Sequence, residues 1–484
     1  MTDAVPAAAP DADLTELLRR AAARPLTAEE AERAFTEVME GRASPVQMAG
    51  LLVAIRVRGA TSQEVAGGVR ALRKAMVPVP TEAEGLVDTC GTGGGALTTF
   101  NISTAAALVA AGAGVRVAKH GNRSFTSRCG SADVLEALGV RLELDPEREA
   151  RVLEECGIVF MFAPLHHPAM RHIGPIRREL AMPTLMNVLG PLTNPAGARR
   201  QVVGVNDPAL LDLIAGALLE LGHDRALVVH GEPGIDELSP LGTTEVLEVD
   251  GGKVVRRTFD PSDELGWERF EAAGLEGGER DDNARKVVGV LKGEVGGSAR
   301  AATVLNAAAA IWVAGKAKTL ADGVRQAERA LDDGDATLVV VMARGLEADL
   351  ARGDEGAVQL VLNGERGSAA GVVQSYATQI IAGYSRELAA ARPGIDGHLV
   401  TASPSRMRGE RRNDGVHCLS IHSSPRPGAH PPGDAGRAAA EPGVRTAPAP
   451  GGGTHTDRPG VRVDHHRPVG LDHEQAQRLG QMGA

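Results

Sequence analysis

A glycine-rich segment is the first part of this 484-residue sequence that could do chemistry. It reads VDTCGTGGG over residues 87–95, between a predicted strand and a predicted helix. Glycines let a backbone approach a ligand closely, and their successive N–H groups can bind an anion. Asn101, Ser103 and Thr104 follow at the predicted helix start, where the positive end of the helix dipole favours phosphate. The spacing matches neither GxGxxG nor a Walker A loop, so an ordinary turn remains an alternative interpretation.

A second polar segment, KHGNRSFTSRCGS, spans residues 119–131 after the next predicted strand. Lys119, Arg123 and Arg128 supply positive charge there. Hydroxyl side chains accompany them at Ser124, Thr126, Ser127 and Ser131. Cations beside hydroxyl groups are typical of phosphate contacts, so this segment predicts a second part of an anion site. The alternative is a solvated loop in which Ser131 only caps the helix that follows.

Two pairs of charged residues could complete a site. Arg177 and Arg178 could bind a carboxylate through paired guanidinium N–H groups, although surface ion pairs are the common use of such residues. Asp236 and Glu237 follow a predicted strand over residues 226–230 and could hold hydrated Mg²⁺ on a diphosphate. An exposed turn is the alternative for this acidic pair. The histidines near residue 170 lack the spacing of a zinc site.

These side chains can form one site only if the fold brings the ends of several strands together. The hydrophobic pattern of the sequence predicts helices and strands that do so. Three amphipathic helices are predicted between residues 14 and 77, starting at caps formed by Thr27, Ser44 and Thr61. From residue 86, short apolar strands alternate with helices, which predicts an α/β sheet with ligands at the carboxyl ends of its strands. We therefore predict an α/β fold, with a small all-helical N-terminal domain and a larger α/β domain built on a central, mostly parallel sheet.

Composition excludes several functional classes. The formal net charge is −10, and the 94 residues from Ala391 onward carry +3, which leaves −13 on the rest. An acidic body argues against a general nucleic-acid-binding protein. The four cysteines form no CxxC pair, which argues against a zinc site or a disulfide framework. Apolar runs are too short to span a bilayer and no signal peptide is evident, so we expect a cytoplasmic protein without a membrane segment.

The chain ends differ from the body in composition. Residues 1–13 are rich in Ala and Pro and are predicted to be disordered. Residues 337–390 keep apolar patches but match no recognisable unit, whereas residues 391–484 are rich in Pro, His and Arg and are predicted to form a disordered tail. Because no Phe follows Phe270 and no Lys follows Lys318, we interpret much of the segment after Asp335 as a product of a shifted reading frame or a fortuitous extension.

Seven short motifs occur in one order between about residues 14 and 335: GTGG, TFNIST, KHGNR, GSADVLEALG, RREL, GPLTNP and the Asp236–Glu237 pair. In this combination the chain resembles the anthranilate phosphoribosyltransferase family, the tryptophan-pathway members of the nucleoside phosphorylase-like phosphoribosyltransferases. The resemblance implies a helical domain over residues 14–80, joined by part of 175–205, and a catalytic α/β domain over 81–336. It also implies a homodimer formed through the helical domains, and transfer of phosphoribose from 5-phosphoribosyl 1-diphosphate to the amine of anthranilate.

The resemblance further implies a role for individual residues. Phosphoribosyl diphosphate would be bound by Gly91, Gly94, Gly95, Thr99, Asn101, Ser103, Thr104, Lys119, Asn122, Arg123, Ser127 and Ser131. Anthranilate would be bound by Gly91, His120, Asn122 and Arg177, with Arg177 facing its carboxylate. Mg²⁺ is the implied cofactor, held by Ser103, Asp236 and Glu237. No residue is assigned as a general acid, a general base or a nucleophile.

Two other functions share parts of this pattern. A pyrimidine nucleoside phosphorylase has the same fold but typically carries a DKHSTGG-like element, which this sequence lacks. A non-enzymatic, nucleic-acid-binding paralogue should have a basic groove and no acidic metal pair. The sequence departs from the family pattern at Gly95 and Ala96, where the family commonly has Asp and Gly, and in the stretch from Ala181 to Pro183.

Overall fold

The computed structural model of the chain describes residues 12–124, 128–334 and the strand segments 338–342, 358–363, 400–406 and 416–423. Within these residues, four helices form the N-terminal domain. They are α1 (Ala12–Ala23), α2 (Ala28–Met39), α3 (Pro45–Arg58) and α4 (Ser62–Ala75). The prediction of three helices was therefore wrong by one. Helix α1 lies before Thr27, the first of the predicted caps, and the residue that precedes Ala12 lies outside the described residues. It also includes Ala12 and Asp13, which the sequence placed in a disordered terminus.

The predicted caps of the other three helices are confirmed. The side chains of Thr27, Ser44 and Thr61 accept hydrogen bonds from the backbone N–H three residues later, and the side chain at that later position bonds back to the cap. Each reciprocal pair satisfies N–H groups that a helix start otherwise leaves without a partner. Local sequence thus fixes where these helices begin.

A seven-stranded sheet forms the centre of the second domain, in the order β3-β2-β1-β4-β5-β6-β7. Its strands are β1 (Val87–Gly91), β2 (Val117–Gly121), β3 (Ile158–Phe162), β4 (Arg200–Gly204), β5 (Arg225–Gly231), β6 (Thr244–Asp250) and β7 (Lys253–Phe259). The first five run parallel, and β6 and β7 form an antiparallel hairpin at one edge. The predicted fold class, a helical domain beside a mostly parallel α/β domain, is confirmed.

Helices cover both faces of this sheet and also reach the helical domain. They are α5 (Ile102–Gly112), α6 (Ser131–Ala137), α7 (Pro146–Cys156), α8 (Ala163–His166), α9 (Met170–Leu180), α10 (Met186–Leu189), α11 (Leu210–Glu220), α12 (Pro261–Leu265), α13 (Arg280–Leu291), α14 (Gly297–Val313) and α15 (Leu320–Asp332). Side chains of α9 and α10, including Ile173 and Leu189, share one apolar core with α1 to α4. No helix in the described ranges combines the length and apolarity needed to cross a membrane.

One predicted cap is wrong. Ser131 is the first residue of α6, and Gly130 occupies the cap position before it. A side chain at position 130 would collide with backbone atoms of Asn122 and Ser124, because the preceding loop folds back against this turn. The Asp133 carboxylate instead accepts the Gly130 N–H at 2.8 Å, which satisfies the helix start from inside the helix.

A separate four-stranded antiparallel sheet follows, in the order β10-β11-β9-β8. Its strands are β8 (Leu338–Met342), β9 (Val358–Asn363), β10 (Val400–Arg406) and β11 (Val416–Ser423). The last two lie in the segment predicted to be a disordered tail. Pairing of two short strands needs only local polar–apolar alternation, as in CLSIH, which composition alone does not reveal. The rest of that predicted tail, and residues 1–11, lie outside the described residues.

Candidate active site

The glycine-rich loop packs directly against the loop that carries the acidic pair. A β-carbon added to Gly91 would lie 2.3 Å from Asp236 Oδ2, and one added to Gly95 would lie 2.8 Å from the Gly234 carbonyl oxygen. The Gly93 N–H donates to Asp236 Oδ2 at 2.8 Å. Only residues without a side chain allow this approach, so the glycines after β1 and the carboxylates after β5 form one surface.

The acidic pair faces the start of helix α5. Glu237 Oε1 accepts a hydrogen bond from the Ser103 backbone N–H at 3.1 Å, which places this carboxylate at the positive end of the helix. Burial, together with the adjacent Asp236 charge, raises the pKa of Glu237 to about 8, and burial also raises the pKa of Asp236. Because the Asp236 and Glu237 carboxylates are adjacent and shielded from water, a bound cation would stabilise their charged forms. Within the described ranges no group of three His, Cys, Asp or Glu side chains forms a denser metal site.

Lys119 lies on β2, between the glycine-rich loop and α5. Its ammonium group donates to the Thr89 carbonyl oxygen and lies 3.3 Å from Ser103 Oγ. The side chain is only 4% exposed. Burial lowers the pKa of Lys119, while the nearby carboxylates of Asp88 and Glu237 oppose that shift. A buried cation next to a helix start supplies positive charge where an anionic ligand would sit.

His120 lies beside a second buried imidazole, His167. Their ring centroids are 5.1 Å apart, and Nε2 of each ring has no hydrogen-bond partner among the described residues. Burial lowers the pKa of His120 well below its usual range and that of His167 to about 4. Both rings are therefore neutral at physiological pH, which suits contact with an aromatic ligand better than charge stabilisation.

Arg177 has a free guanidinium. It lies on the last turn of α9, and its side chain makes no hydrogen bond or ion pair within the described residues. Burial lowers the pKa of Arg177, whereas its neighbour Arg178 is exposed. A partly buried guanidinium without a carboxylate partner is prepared to bind one from a ligand.

Other predicted residues are engaged with the protein itself. Arg123 forms ion pairs with Asp133 and Glu136 at 2.8 and 3.0 Å. Asn101 donates to the Cys129 carbonyl oxygen and accepts from Asn283. Thr99 forms an isolated antiparallel β-bridge with Glu276. Thr104 Oγ1 is buried without a hydrogen-bond partner in the described residues. The Ser131 hydroxyl donates to the Asn122 carbonyl oxygen. Gly94 adopts a φ of +77°, and Ser127 lies outside the described residues.

Sequence reasoning missed several polar residues that hold this site. Asp88 accepts the His120 backbone N–H at 3.1 Å, and Asn194 donates to Asp88 at 2.8 Å. Asn206 donates its backbone N–H to the Thr92 hydroxyl and its side-chain amide to the Gly94 carbonyl oxygen. Asp88 lies in the VDTCGTGGG segment, where a charged residue inside an apolar strand was the available signal, and Asn194 lies in the GPLTNP motif.

Comparisons with known proteins agree with this arrangement. The model described as "Glycosyl transferase family, a/b domain" matches residues 83–337, and "Glycosyl transferase family, helical bundle domain" matches residues 13–76. The chain is 56% identical over 326 residues to the anthranilate phosphoribosyltransferase of Rubrobacter xylanophilus, covering 67% of this chain and 94% of that protein.

Solved structures show the same relationship. The anthranilate phosphoribosyltransferase of Thermus thermophilus is 46% identical, with a TM-score of 0.63, over 66% of this chain and 95% of that one. The Saccharomyces cerevisiae enzyme in complex with PRPP and Mg is 25% identical, with a TM-score of 0.61, over 67% of this chain and 95% of that one. Because the matches cover both domains and nearly the full length of these relatives, the chain belongs to the glycosyl transferase family defined by these domains and, within it, to the anthranilate phosphoribosyltransferases.

Proposed function

We propose that the chain transfers the phosphoribosyl group of 5-phosphoribosyl 1-diphosphate to the amine of anthranilate, giving N-(5-phosphoribosyl)anthranilate and diphosphate, the second step of tryptophan biosynthesis from chorismate. The observation that supports this most strongly is the convergence of Lys119, the start of α5 and the Asp236–Glu237 pair around the glycine-rich loop. Cleavage of the bond to diphosphate develops negative charge on the leaving group, and the Lys119 ammonium and the N–H groups at the start of α5 would stabilise it.

The proposal includes Mg²⁺. The solved yeast relative is described in complex with PRPP and Mg. Asp236 and Glu237 fit such an ion, since burial raises the pKa of both carboxyl groups and leaves them with few protein donors, and Ser103 Oγ lies 3.3 Å from the Lys119 ammonium beside them. Bound by Ser103, Asp236 and Glu237, Mg²⁺ would supply positive charge next to the diphosphate oxygens.

The acceptor would be held on the helical side of the loop. Arg177 would bind the anthranilate carboxylate, and His120, Asn122 and Gly91 would contact its ring and amine. The aromatic amine is neutral and nucleophilic at pH 7, so orientation next to the ribose carbon contributes more than proton removal. We therefore assign no general base, and the buried, neutral His120 would serve packing or contact with the aromatic amine.

We also propose a homodimer formed through the helical domain. On α3, Val46 and Val57 are 82% and 80% exposed, and Gly50 and Val53 lie between them on the same helix face at spacings of four and three residues. An exposed apolar ridge on a helix is typical of a protein–protein contact. A Val57→Asp variant should shift sedimentation from dimer to monomer, whereas an unchanged dimer would remove α3 from the interface.

A coupled assay tests the proposed activity. Anthranilate fluorescence should fall when the full chain is mixed with phosphoribosyl diphosphate and Mg²⁺, and the gene should restore growth of a tryptophan auxotroph blocked at this step. Phosphate-dependent cleavage of pyrimidine nucleosides would favour the phosphorylase alternative instead. Failure to complement, combined with tight DNA binding that weakens in salt, would favour the nucleic-acid-binding paralogue. A cytoplasmic location stays a prediction.

A further inference from the structure

The central sheet is incompletely paired at the active site. Strands β1 and β4 share five aligned residue pairs, as do β2 and β3, but β1 and β2 share only Val87 with Val117. Beyond that pair the two strands carry the site residues: the glycine-rich loop follows β1, and Lys119 and His120 lie in the second half of β2. Backbone hydrogen bonds between β1 and β2 therefore do not set how far apart these two groups of ligand-binding residues lie.

Two buried side chains fill the place of the missing ladder. Asp88 Oδ1, on β1, accepts the backbone N–H of His120, on β2, at 3.1 Å. Asn194 Nδ2 donates to Asp88 Oδ2 and to the Ala118 carbonyl oxygen, both at 2.8 Å, and so touches both strands at once. Asp88 is 0% exposed and Asn194 is 1% exposed. Asn194 is itself fixed, because its Oδ1 accepts the Ala196 N–H at 3.0 Å.

We propose that Asp88 and Asn194 are positioning residues that set the separation of the β1 and β2 ends, and thereby the placement of Lys119 and His120 relative to the glycine-rich loop. The proposal rests on the proposed function for its kinetic consequences. Neither residue is assigned a contact with the reacting groups. Both act through the backbone of β2, which carries residues that would bind diphosphate and anthranilate.

Asp88→Asn is the direct perturbation. The carboxylate presents an acceptor to each of two donors, the His120 N–H and the Asn194 amide, whereas a carboxamide presents one acceptor and one donor. The carboxamide NH₂ at position 88 then faces one of these two donors, and the ends of β1 and β2 must move apart. A displacement of this kind should lower kcat/KM by roughly 10- to 100-fold, with a raised KM for phosphoribosyl diphosphate.

Glu64→Gln is the matched control. Like Asp88, Glu64 is 0% exposed and accepts several hydrogen bonds, from the Leu26 and Thr61 N–H groups, both at 3.0 Å, and from the Arg58 guanidinium, but it lies on α4 in the helical domain. The same chemical change there should lower stability while leaving KM for phosphoribosyl diphosphate unchanged. The double variant Asp88→Asn with Asn194→Asp restores a donor–acceptor pair between the two positions but removes the donor to the Ala118 carbonyl oxygen, so it should recover only part of the lost kcat/KM.

The test combines steady-state kinetics, melting temperature and amide hydrogen exchange of the full-length variants. The proposal predicts a raised KM and faster exchange over residues 117–124 in Asp88→Asn, with neither change in Glu64→Gln. Equal loss of melting temperature in both variants with wild-type KM in both would overturn it, as would unchanged exchange at β2. If wild type itself shows no turnover, the proposed function fails, and the exchange comparison still decides the positioning role. If Asp88→Asn does not fold, Asn194→Ala carries the same readouts.

Discussion

His223 is a buried imidazole whose two ring nitrogens have no hydrogen-bond partner among the described residues. It follows Gly222, which lies two residues beyond the end of α11 and has a φ of +72°, and its backbone N–H donates to the Leu218 carbonyl oxygen at 3.0 Å. The side chain is 5% exposed and lies near the guanidinium groups of Arg73 and Arg199. The residue after such a glycine is commonly apolar and packs back onto the last turn of the helix. His223 therefore places a titratable side chain in an apolar environment.

Burial, reinforced by Arg73, lowers the pKa of His223 to about 4. An unfolded histidine has a pKa of about 6.5, so as the pH falls the unfolded chain takes up the proton first and the folded state loses stability. The loss begins near pH 6.5 and is complete below about pH 4. Integrated from about pH 7.5 to about pH 5.0, this one group removes about 2 kcal/mol from the free energy of unfolding.

The perturbation is His223→Leu, which keeps the volume but removes the titration. Urea unfolding of wild type and variant at about pH 7.5 and about pH 5.0, at one protein concentration, gives four free energies of unfolding. Wild type should lose about 2 kcal/mol more than the variant between the two pH values. The other buried histidines, such as His167, contribute equally to both proteins, so their share cancels in the difference.

A pH-dependent loss of the same size in both proteins would refute this reasoning, because His223 would then carry no proton-linked free energy. If the free energy of unfolding of the variant falls more between the two pH values than that of wild type, His223 has the opposite effect to the one predicted. The comparison at about pH 7.5 is the control, since His223 is neutral there in both folded and unfolded chains and any difference reflects packing alone.

Three further predictions concern the active site. Gly91→Ala should lower kcat/KM at least roughly 100-fold, because its β-carbon would lie 2.3 Å from Asp236 Oδ2; near wild-type kinetics would contradict the described approach of the two loops. Arg177→Ala should raise KM for anthranilate roughly 10- to 100-fold while sparing that for phosphoribosyl diphosphate, with exposed Arg178→Ala as the control; equal weakening of both substrates would contradict a carboxylate contact. Glu237→Gln should shift the Mg²⁺ titration of turnover to higher concentration, and an unchanged titration would exclude Glu237 from the metal site.

Local structure could be predicted from neighbouring residues in the sequence. Caps at Thr27, Ser44 and Thr61 start three helices, because the side chain that satisfies each helix end lies within three residues of it. Alternation of strands and helices from residue 86 predicted a mostly parallel sheet, and the motifs placed glycines, cations and carboxylates at strand ends. Helix α1 escaped prediction because it lies before Thr27, the first of these caps.

Which of these residues come into contact depends on the packing of the whole fold. Gly93 and Asp236 are 143 positions apart, and Asn194 and Asp88 are 106 apart, yet both pairs are hydrogen-bonded at 2.8 Å. Such contacts depend on the strand order of the sheet, which carries no local sequence signal. The same holds for His223, whose lowered pKa comes from the burial that the packing of α11 imposes and not from its neighbours in the chain.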